Sequence, residues 1–421
     1  MSAIVQSAMV GVQRSEYGET TIDKTTPVVL SNVTVVSEGR LQPAMHVGWM
    51  NGVCAFIQPA LPADWSMEGV TVIEGHGRVL THGLVDLQCN GAFGVDLNHT
   101  TAAQLRQWLK QLAQAGTTHV MLTLITAPLE DMVRAIQIIE SVIREPRAGE
   151  ASVLGIHLEG PFLNPAFAGI HSAQAMPRKI TITQLETLCS PSVRMMTLAP
   201  ELPGAAEAIG WLVKRGIVVF AGHTNATAEE MIQAVDAGLS GVTHLFNAMR
   251  GFHHRSPGIL SVALTHPKVA VGLIADGHHV YPEAMRLALT TKQAVNAQQC
   301  LLVSDAMPLA GMPGGTQGLF AGQSMVHTPV ATSPEGKVLV SAKVTNTQGT
   351  LAGAAALLNE GIRNVCEWGL VPLPVAVAMA TENPAHALGL SSTVGRLAVG
   401  QPASWVLWHA NWTPALVGGL P

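Results

Sequence analysis

Two histidines, His223 and His244, stand just past two short apolar runs, residues 217–221 and 241–243, that a helix-like segment joins. In a parallel β/α protein, residues just past strand ends gather at one mouth of the sheet, where ligands bind. Two imidazoles there are candidate metal ligands, and each is followed within a few residues by an Asn-Ala step. A third ligand is needed, because catalytic zinc-type sites use about three protein ligands and leave a position open. Glu159 in GIHLEGPFLNP ends an earlier strand-like run and can fill that place. The set suits one divalent first-row ion, Zn²⁺ first, with Fe²⁺, Co²⁺ or Mn²⁺ compatible. The bland alternatives are hydrogen-bonded core histidines and a salt-bridged structural glutamate.

Asp305 in LLVSDAMPLAG reaches the same mouth. A carboxylate near an activated water can take its proton and return it to a leaving amine; a turn or helix-cap aspartate is the structural reading. His171, Asn247, Ala248, Arg255, Asp276 and His279 follow other strand ends, where a substrate can be held. Arg255 can grip a phosphate through two parallel hydrogen bonds, or serve as a surface arginine. Gln88 and Asn90 close the first strand. Amides are poor ligands beside imidazole, so they line the site and one tightly held metal is expected rather than two.

Eight strand-like runs position these residues: 84–88, 119–125, 153–158, 193–198, 217–221, 241–243, 269–275 and 301–304. Helical stretches over 130–143, 205–215, 228–237 and 283–292, with a first one starting near Thr101, alternate with them and predict a (β/α)8 barrel over residues 82–389. Residues 316–347 read as a β-hairpin excursion and 351–389 as helical. The short β runs from 28 to 80, with β-like residues at the chain's end, predict a small β-sandwich domain from residues 27–81 plus 390–421. Residues 1–26 read as a flexible leader.

At 421 residues with 48% hydrophobic content, the chain can bury a barrel-sized core. Net charge of −5 without a basic run gives no footprint for nucleic acid, and no apolar stretch is long enough for a membrane span. Five scattered cysteines, an odd number with no CxxC, fit a reducing cytoplasm. His82, at the wrong end of its strand to reach the mouth, reads as structural, and Cys89 as a small buried hydrophobe.

The phrases HGLVDLQCNG, GIHLEGPFLNP, LAPE, GHTNAT, THLFNAM, IADGHHV, VSDAM and NPAHALGL…GRLAVGQPA, in this order from about residue 28 to 415, resemble the N-acetylglucosamine-6-phosphate deacetylases of the amidohydrolase superfamily. The resemblance implies a distorted (β/α)8 barrel with a flanking β-sandwich, in a homodimer. It implies metal binding by Glu159, His223 and His244, acid/base work by Asp305, and substrate contacts from His171, Asn247, Ala248, Arg255 and His279. Arg255 would face the phosphate, and His171 would orient or polarise the acetyl carbonyl. A neighbouring subunit often helps to close the sugar-phosphate site in that family.

This chain departs from related sequences at Ala166-Phe167-Ala168, where a lysine-containing stretch is usual, and at Ala403-Ser404, where Ala-Asp is usual. The run 193–198 contains no lysine, which argues against a carbamylated-lysine bridge between two metals. Three functions stay open: deacetylation of N-acetylglucosamine 6-phosphate, deacetylation of the galactosamine epimer or another N-acyl sugar, and metal-free sugar-phosphate binding.

Overall fold

The computed structural model describes residues 21–329 and 340–420. Eight parallel strands follow one another around a barrel: β1 (Leu84–Cys89), β2 (Thr117–Ile125), β3 (Ser152–Glu159), β4 (Val193–Leu198), β5 (Val218–Ala221), β6 (Gly241–Val242), β7 (Ala270–Leu273) and β8 (Cys300–Leu302). Each pairs in parallel with the next. Every residue of β1 is buried. Helices cover such a sheet outside and side chains fill it inside, so its strands read as apolar runs rather than as alternation.

The seam between β8 and β1 is closed just beyond the strands. Asp305 N–H donates to the Gln88 carbonyl at 2.9 Å, and Asn90 N–H to the Ala306 carbonyl at 2.8 Å. The backbone that completes the barrel is therefore the backbone carrying three candidate site residues.

Helical periodicity translated directly where one face is apolar. Ala102–Gln114 starts at a capping box between Thr101 and Gln104. Leu129–Ile143 buries Met132, Ala135, Ile136, Ile139 and Val142, the i, i+3, i+4 stripe of a half-buried helix. Two helices went unread. Gly258–Thr265 is buried at six of its positions, leaving no polar face to mark a period; Ile182–Leu188 is too short to show one.

Beyond β8, Gln317–Phe320, Gln323–Thr328, Lys343–Asn346 and Leu351–Ala354 form a four-stranded antiparallel sheet. The helical reading of 351–389 thus fails at its start. Leu351–Ala354 pairs with Lys343–Asn346, and Ala354 N–H donates to the Asp305 carbonyl at 2.9 Å, so tertiary pairing overrides alanine's helix preference. The rest of that stretch is helical, at Leu358–Glu367, Leu373–Met379 and Glu382–Ala387.

Both chain ends build the second sheet, in the order Thr21–Asp23, Pro414–Leu420, Trp405–Trp408, Val79–His82, Val28–Ser37, Arg40–Met50, Val53–Gln58, with Thr71–Glu74 also pairing with Val28–Ser37. Trp49 and Trp405 lie three strands apart in this order, which would be about 14 Å in a flat sheet. Their rings stack at 5.0 Å, so the sheet folds over onto itself around its core. Of the expected leader, residues 1–20 lie outside the described residues, and Thr21–Asp23 pairs in parallel with the strand Pro414–Leu420. His82 ends a strand of this sheet, its Nδ1 2.6 Å from the Gly83 carbonyl, and stays remote from the mouth. Among the described residues, no helix is long and apolar enough to cross a membrane. All five cysteines are free.

Candidate metal centre and active site

Glu159 is the last residue of β3, while His223 and His244 stand just past β5 and β6. His223 and His244 hold left-handed φ angles of 49° and 32°, as does Asp305 past β8 at 48°. Such φ values are costly for residues with a Cβ and persist where the surroundings over-determine them. The turns aim all three side chains into one buried cluster.

Glu159 Oε1 lies 2.9 Å from His244 Nε2 and 3.2 Å from His223 Nε2, and the two Nε2 atoms are 3.1 Å apart. The tautomer of His223 follows from its other side. Its Nδ1 is 2.8 Å from the Phe167 carbonyl, which only accepts, so Nδ1 carries the proton and Nε2 presents a lone pair. A lone pair facing a carboxylate oxygen at that distance is repulsive without a cation between them. Charging both rings instead would set two imidazoliums in contact. Three ligand atoms around one ion at about 2.0–2.2 Å would stand roughly 3.3–3.5 Å apart, so the cluster fits one divalent ion after small adjustment. His171 is also near enough to be considered, since Glu159, His171 and His223 place ligand atoms within 4.8 Å of one another. Its Nε2 is 3.8 Å from Glu159 Oε2, however, and the tighter triangle belongs to His244.

The electrostatics agree with that reading. Burial works to raise the Glu159 carboxyl, but the imidazoles of His223 and His244 beside it bring it well below its ordinary value. Burial works to lower His244, but Glu159 and, more weakly, Asp305 raise it. The first shift keeps the Glu159 carboxylate ionised, and the second reflects the negative field that it and Asp305 place on His244.

His171 has a different part. Thr126 N–H donates to its Nδ1 at 3.3 Å, so Nδ1 is the acceptor and the proton sits on Nε2. Burial, with the neighbouring imidazole of His223, lowers its pKa to about 3. His171 is therefore a neutral N–H donor lining the cavity. Asp305 Oδ1 accepts from Gln88 Nε2 at 3.0 Å and from Asn90 Nδ2 at 2.7 Å. Burial and the charge of Glu159 raise its pKa to about 6, opposed by His244, His279 and Asn90. Gln88 Nε2 also donates to Glu159 Oε1 at 3.1 Å, so one amide spans the two carboxylates. Both amides act here as donors rather than ligands.

A cavity of about 580 Å³ opens over this cluster, lined among others by Asn90, His171, Asn247, Ala248, His279 and Asp305. Asp276 lies behind it, buried, and fixes His279 through Nδ1 at 2.7 Å. Arg255 is the exception. Residues 251–255 form an exposed loop, where Arg255 Nη1 sits 3.0 Å from His254 Nε2 outside the cavity lining of its own chain. Phe252 of the same loop is exposed too, so the segment does not pack onto its own barrel, and position after a strand end does not reveal that.

Sequence reading named Phe167 only within the departure at 166–168 and missed Thr126; the two set the tautomers of His223 and His171, and Thr126 follows β2 directly, where the strand-end rule would have found it. It also missed Phe320, Thr350, Leu351 and Gly353, cavity-lining residues from the four-stranded insert that only tertiary pairing brings there.

The model of the amidohydrolase family matches residues 79–420. The chain belongs to the amidohydrolase family. Among family members, it is 35% identical over 338 residues to an N-acetylglucosamine-6-phosphate deacetylase of Vibrio furnissii, covering 79% of this chain and 80% of that protein. It is 33% identical over 370 residues to an N-acetylgalactosamine-6-phosphate deacetylase of Escherichia coli O157:H7, covering 85% and 91%. The crystal structure of N-acetylglucosamine-6-phosphate deacetylase from Pasteurella multocida superposes with a TM-score of 0.81 at 28% identity, over 92% of this chain and 97% of that one. This amidohydrolase thus shares its barrel and flanking sheet with amino-sugar phosphate deacetylases over nearly its whole length.

Proposed function

We propose that this chain hydrolyses the acetamide of N-acetyl-D-glucosamine 6-phosphate to acetate and D-glucosamine 6-phosphate, using one divalent ion. The convergence of Glu159, His223 and His244 with a neutral imidazole N–H and a second carboxylate at one cavity carries this reading. An ion held by those three residues, Zn²⁺ in first place from their N, N, O set, would supply Lewis acidity at the carbonyl and acidify water. His171 donates Nε2–H to the amide oxygen as negative charge develops there. Asp305 takes a proton from the attacking water and passes it to the departing amine nitrogen, so the C–N bond breaks with one water consumed. Asn90 and Gln88 hold the Asp305 carboxylate in place. Asn247, Ala248 and His279 contact the sugar, with Asp276 orienting His279.

The protein acts as a homodimer in this proposal. Arg255, exposed on its own chain, serves the phosphate end of a second copy's cavity. The five free thiols fit a cytoplasmic setting. A second reading, the galactosamine epimer, is favoured by the Escherichia coli relative. Metal-free binding has no use for the lone-pair cluster and the proton acceptor together.

The test is acetate release by the metal-loaded protein with N-acetylglucosamine 6-phosphate, its galactosamine epimer and the unphosphorylated sugar side by side. Preference for the first is expected. A preference for the epimer would move the substrate, and three inert sugars on a protein holding one ion per chain would remove the deacetylase assignment.

A further inference from the structure

The LAPE motif ends in Glu201, just beyond β4, and the chemistry above makes no use of it. Glu201 does not line the cavity and it touches none of the residues that would meet a substrate. Its carboxylate is nevertheless occupied on both oxygens. Oε1 accepts from the side-chain amide of Asn164 at 2.9 Å and from the backbone N–H of Asn225 at 2.6 Å, while Oε2 accepts from the Thr224 hydroxyl.

These donors come from two different loops. Asn164 belongs to the loop after β3, which follows Glu159; Thr224 and Asn225 immediately follow His223. The same two loops meet again at His223 itself. Asn164 N–H donates to the His223 carbonyl at 2.9 Å, Phe167 N–H donates to the Asn164 carbonyl at 2.8 Å, and the Phe167 carbonyl accepts from His223 Nδ1 at 2.8 Å. His223 is therefore gripped at its backbone and at its ring by one short segment, and Glu201 pins that segment to the residues after His223.

Two physical facts give this arrangement a purpose. The left-handed backbone of His223, φ 49°, needs neighbours that over-determine it. An imidazole ligand also needs its distal N–H held, because that bond selects the tautomer and aims the other nitrogen. A carboxylate receiving three hydrogen bonds is a stiff joint for the purpose, since charge-assisted bonds are about twice as strong as neutral ones.

We infer that Glu201 is a positioning residue for the metal centre: by joining Asn164 to Thr224 and Asn225 it locks the β3 and β5 loops together and holds His223 Nε2 in ligating orientation. The inference rests on the metal-site reading of Glu159, His223 and His244. It requires that losing Glu201 loosens the ion without changing how the sugar is held.

The test compares wild type with Glu201→Ala and Glu201→Gln in the full chain. Zn²⁺ affinity is measured by chelator competition, the visible spectrum is recorded after Co²⁺ loading, and KM and kcat are determined separately. Partners bonded directly to a ligand are worth about 10- to 100-fold in metal affinity; Glu201 acts one contact further out, so Glu201→Ala should lose more than about twofold and up to that order. Glu201→Gln keeps the size and one acceptor oxygen, and should lose less. Both should shift the Co²⁺ bands, with KM nearly unchanged at saturating metal. Metal affinity within about twofold of wild type and an unaltered Co²⁺ spectrum, in whichever variant folds, would overturn the inference, as would a raised KM at unchanged affinity. A wild type that binds no ion would overturn the metal-site reading and this inference together. A wild type that binds one ion but deacetylates none of the sugars leaves the Zn²⁺ and Co²⁺ comparisons decisive.

Discussion

Asp305 sits between two amide donors with its pKa raised to about 6, the first cause being burial and the second the charge of Glu159. A base of this kind works deprotonated, so activity is lost as pH falls through its pKa. A bound cation nearby moves that value down, which places the acid limb of kcat/KM at or below about pH 6. A limb above pH 7 would assign it to another group. Asp305→Asn should keep the ion and lose about 10²- to 10⁴-fold in kcat; metal content and turnover together check this, and near-normal turnover would remove Asp305 from the chemistry. His171→Ala should also keep the ion and lower kcat by about 10²- to 10³-fold, the scale of one oxyanion donor. A main effect on metal content would make His171 a ligand instead. At this scale the sequence placed the ionisable residues that the cavity brings together, Glu159, His171, His223, His244, His279 and Asp305, because residues past parallel strand ends converge by topology alone. It could not assign their hydrogens. The His171 and His223 tautomers depend on Thr126 N–H and the Phe167 carbonyl, backbone groups that no side-chain pattern announces.

Beneath the site, the barrel strands are joined by a polar belt that crosses their interior. His157 Nε2 on β3 meets the Thr197 hydroxyl on β4 at 2.8 Å, and that hydroxyl meets Thr243, just past β6, at 2.6 Å. His157 Nδ1 stands 3.2 Å from the Leu87 carbonyl on β1 and 3.3 Å from the Thr123 hydroxyl on β2. All four side chains are fully buried or nearly so. Thr197→Val keeps the shape and strips both His157 and Thr243 of their partner. The cost should be about 1–3 kcal/mol, read from the urea midpoint, and a midpoint unmoved by more than a few tenths would show that His157 and Thr243 find other partners. The threonines of this belt look like ordinary β-branched positions, and the run 193–198 was informative from sequence only for lacking a lysine. Eight strands were countable because the strand–helix alternation is long and regular. The fourth strand of the insert, Leu351–Ala354, was not, since its composition favours helix and its pairing partner is known only in three dimensions.

For the whole molecule, the open question posed by the fold is whose cavity Arg255 serves. Chain order sets it after β6 beside Asn247 and Ala248, which do line the cavity, yet residues 251–255 run outward and leave Phe252 63% exposed. An exposed phenylalanine three residues from an exposed arginine matches the composition of an interface better than that of a solvated loop. In a dimer with two-fold symmetry, what one copy gives the other it also receives. That reciprocity makes a complementation test possible. Arg255→Ala should mainly raise KM for a phosphorylated substrate, and Asp305→Asn should abolish turnover. Unfolded together and refolded, the two variants would form mixed dimers in which the Arg255→Ala chain keeps its own Asp305 and borrows the guanidinium of its partner. Random pairing would restore low-substrate activity to about a quarter of wild type. If Arg255 acts within its own chain, every mixed dimer has one site lacking Asp305 and one lacking Arg255, and mixing restores nothing. Sedimentation of the same samples separates that outcome from a chain that does not pair at all, in which case the phosphate end of the cavity must be closed by residues of a single copy.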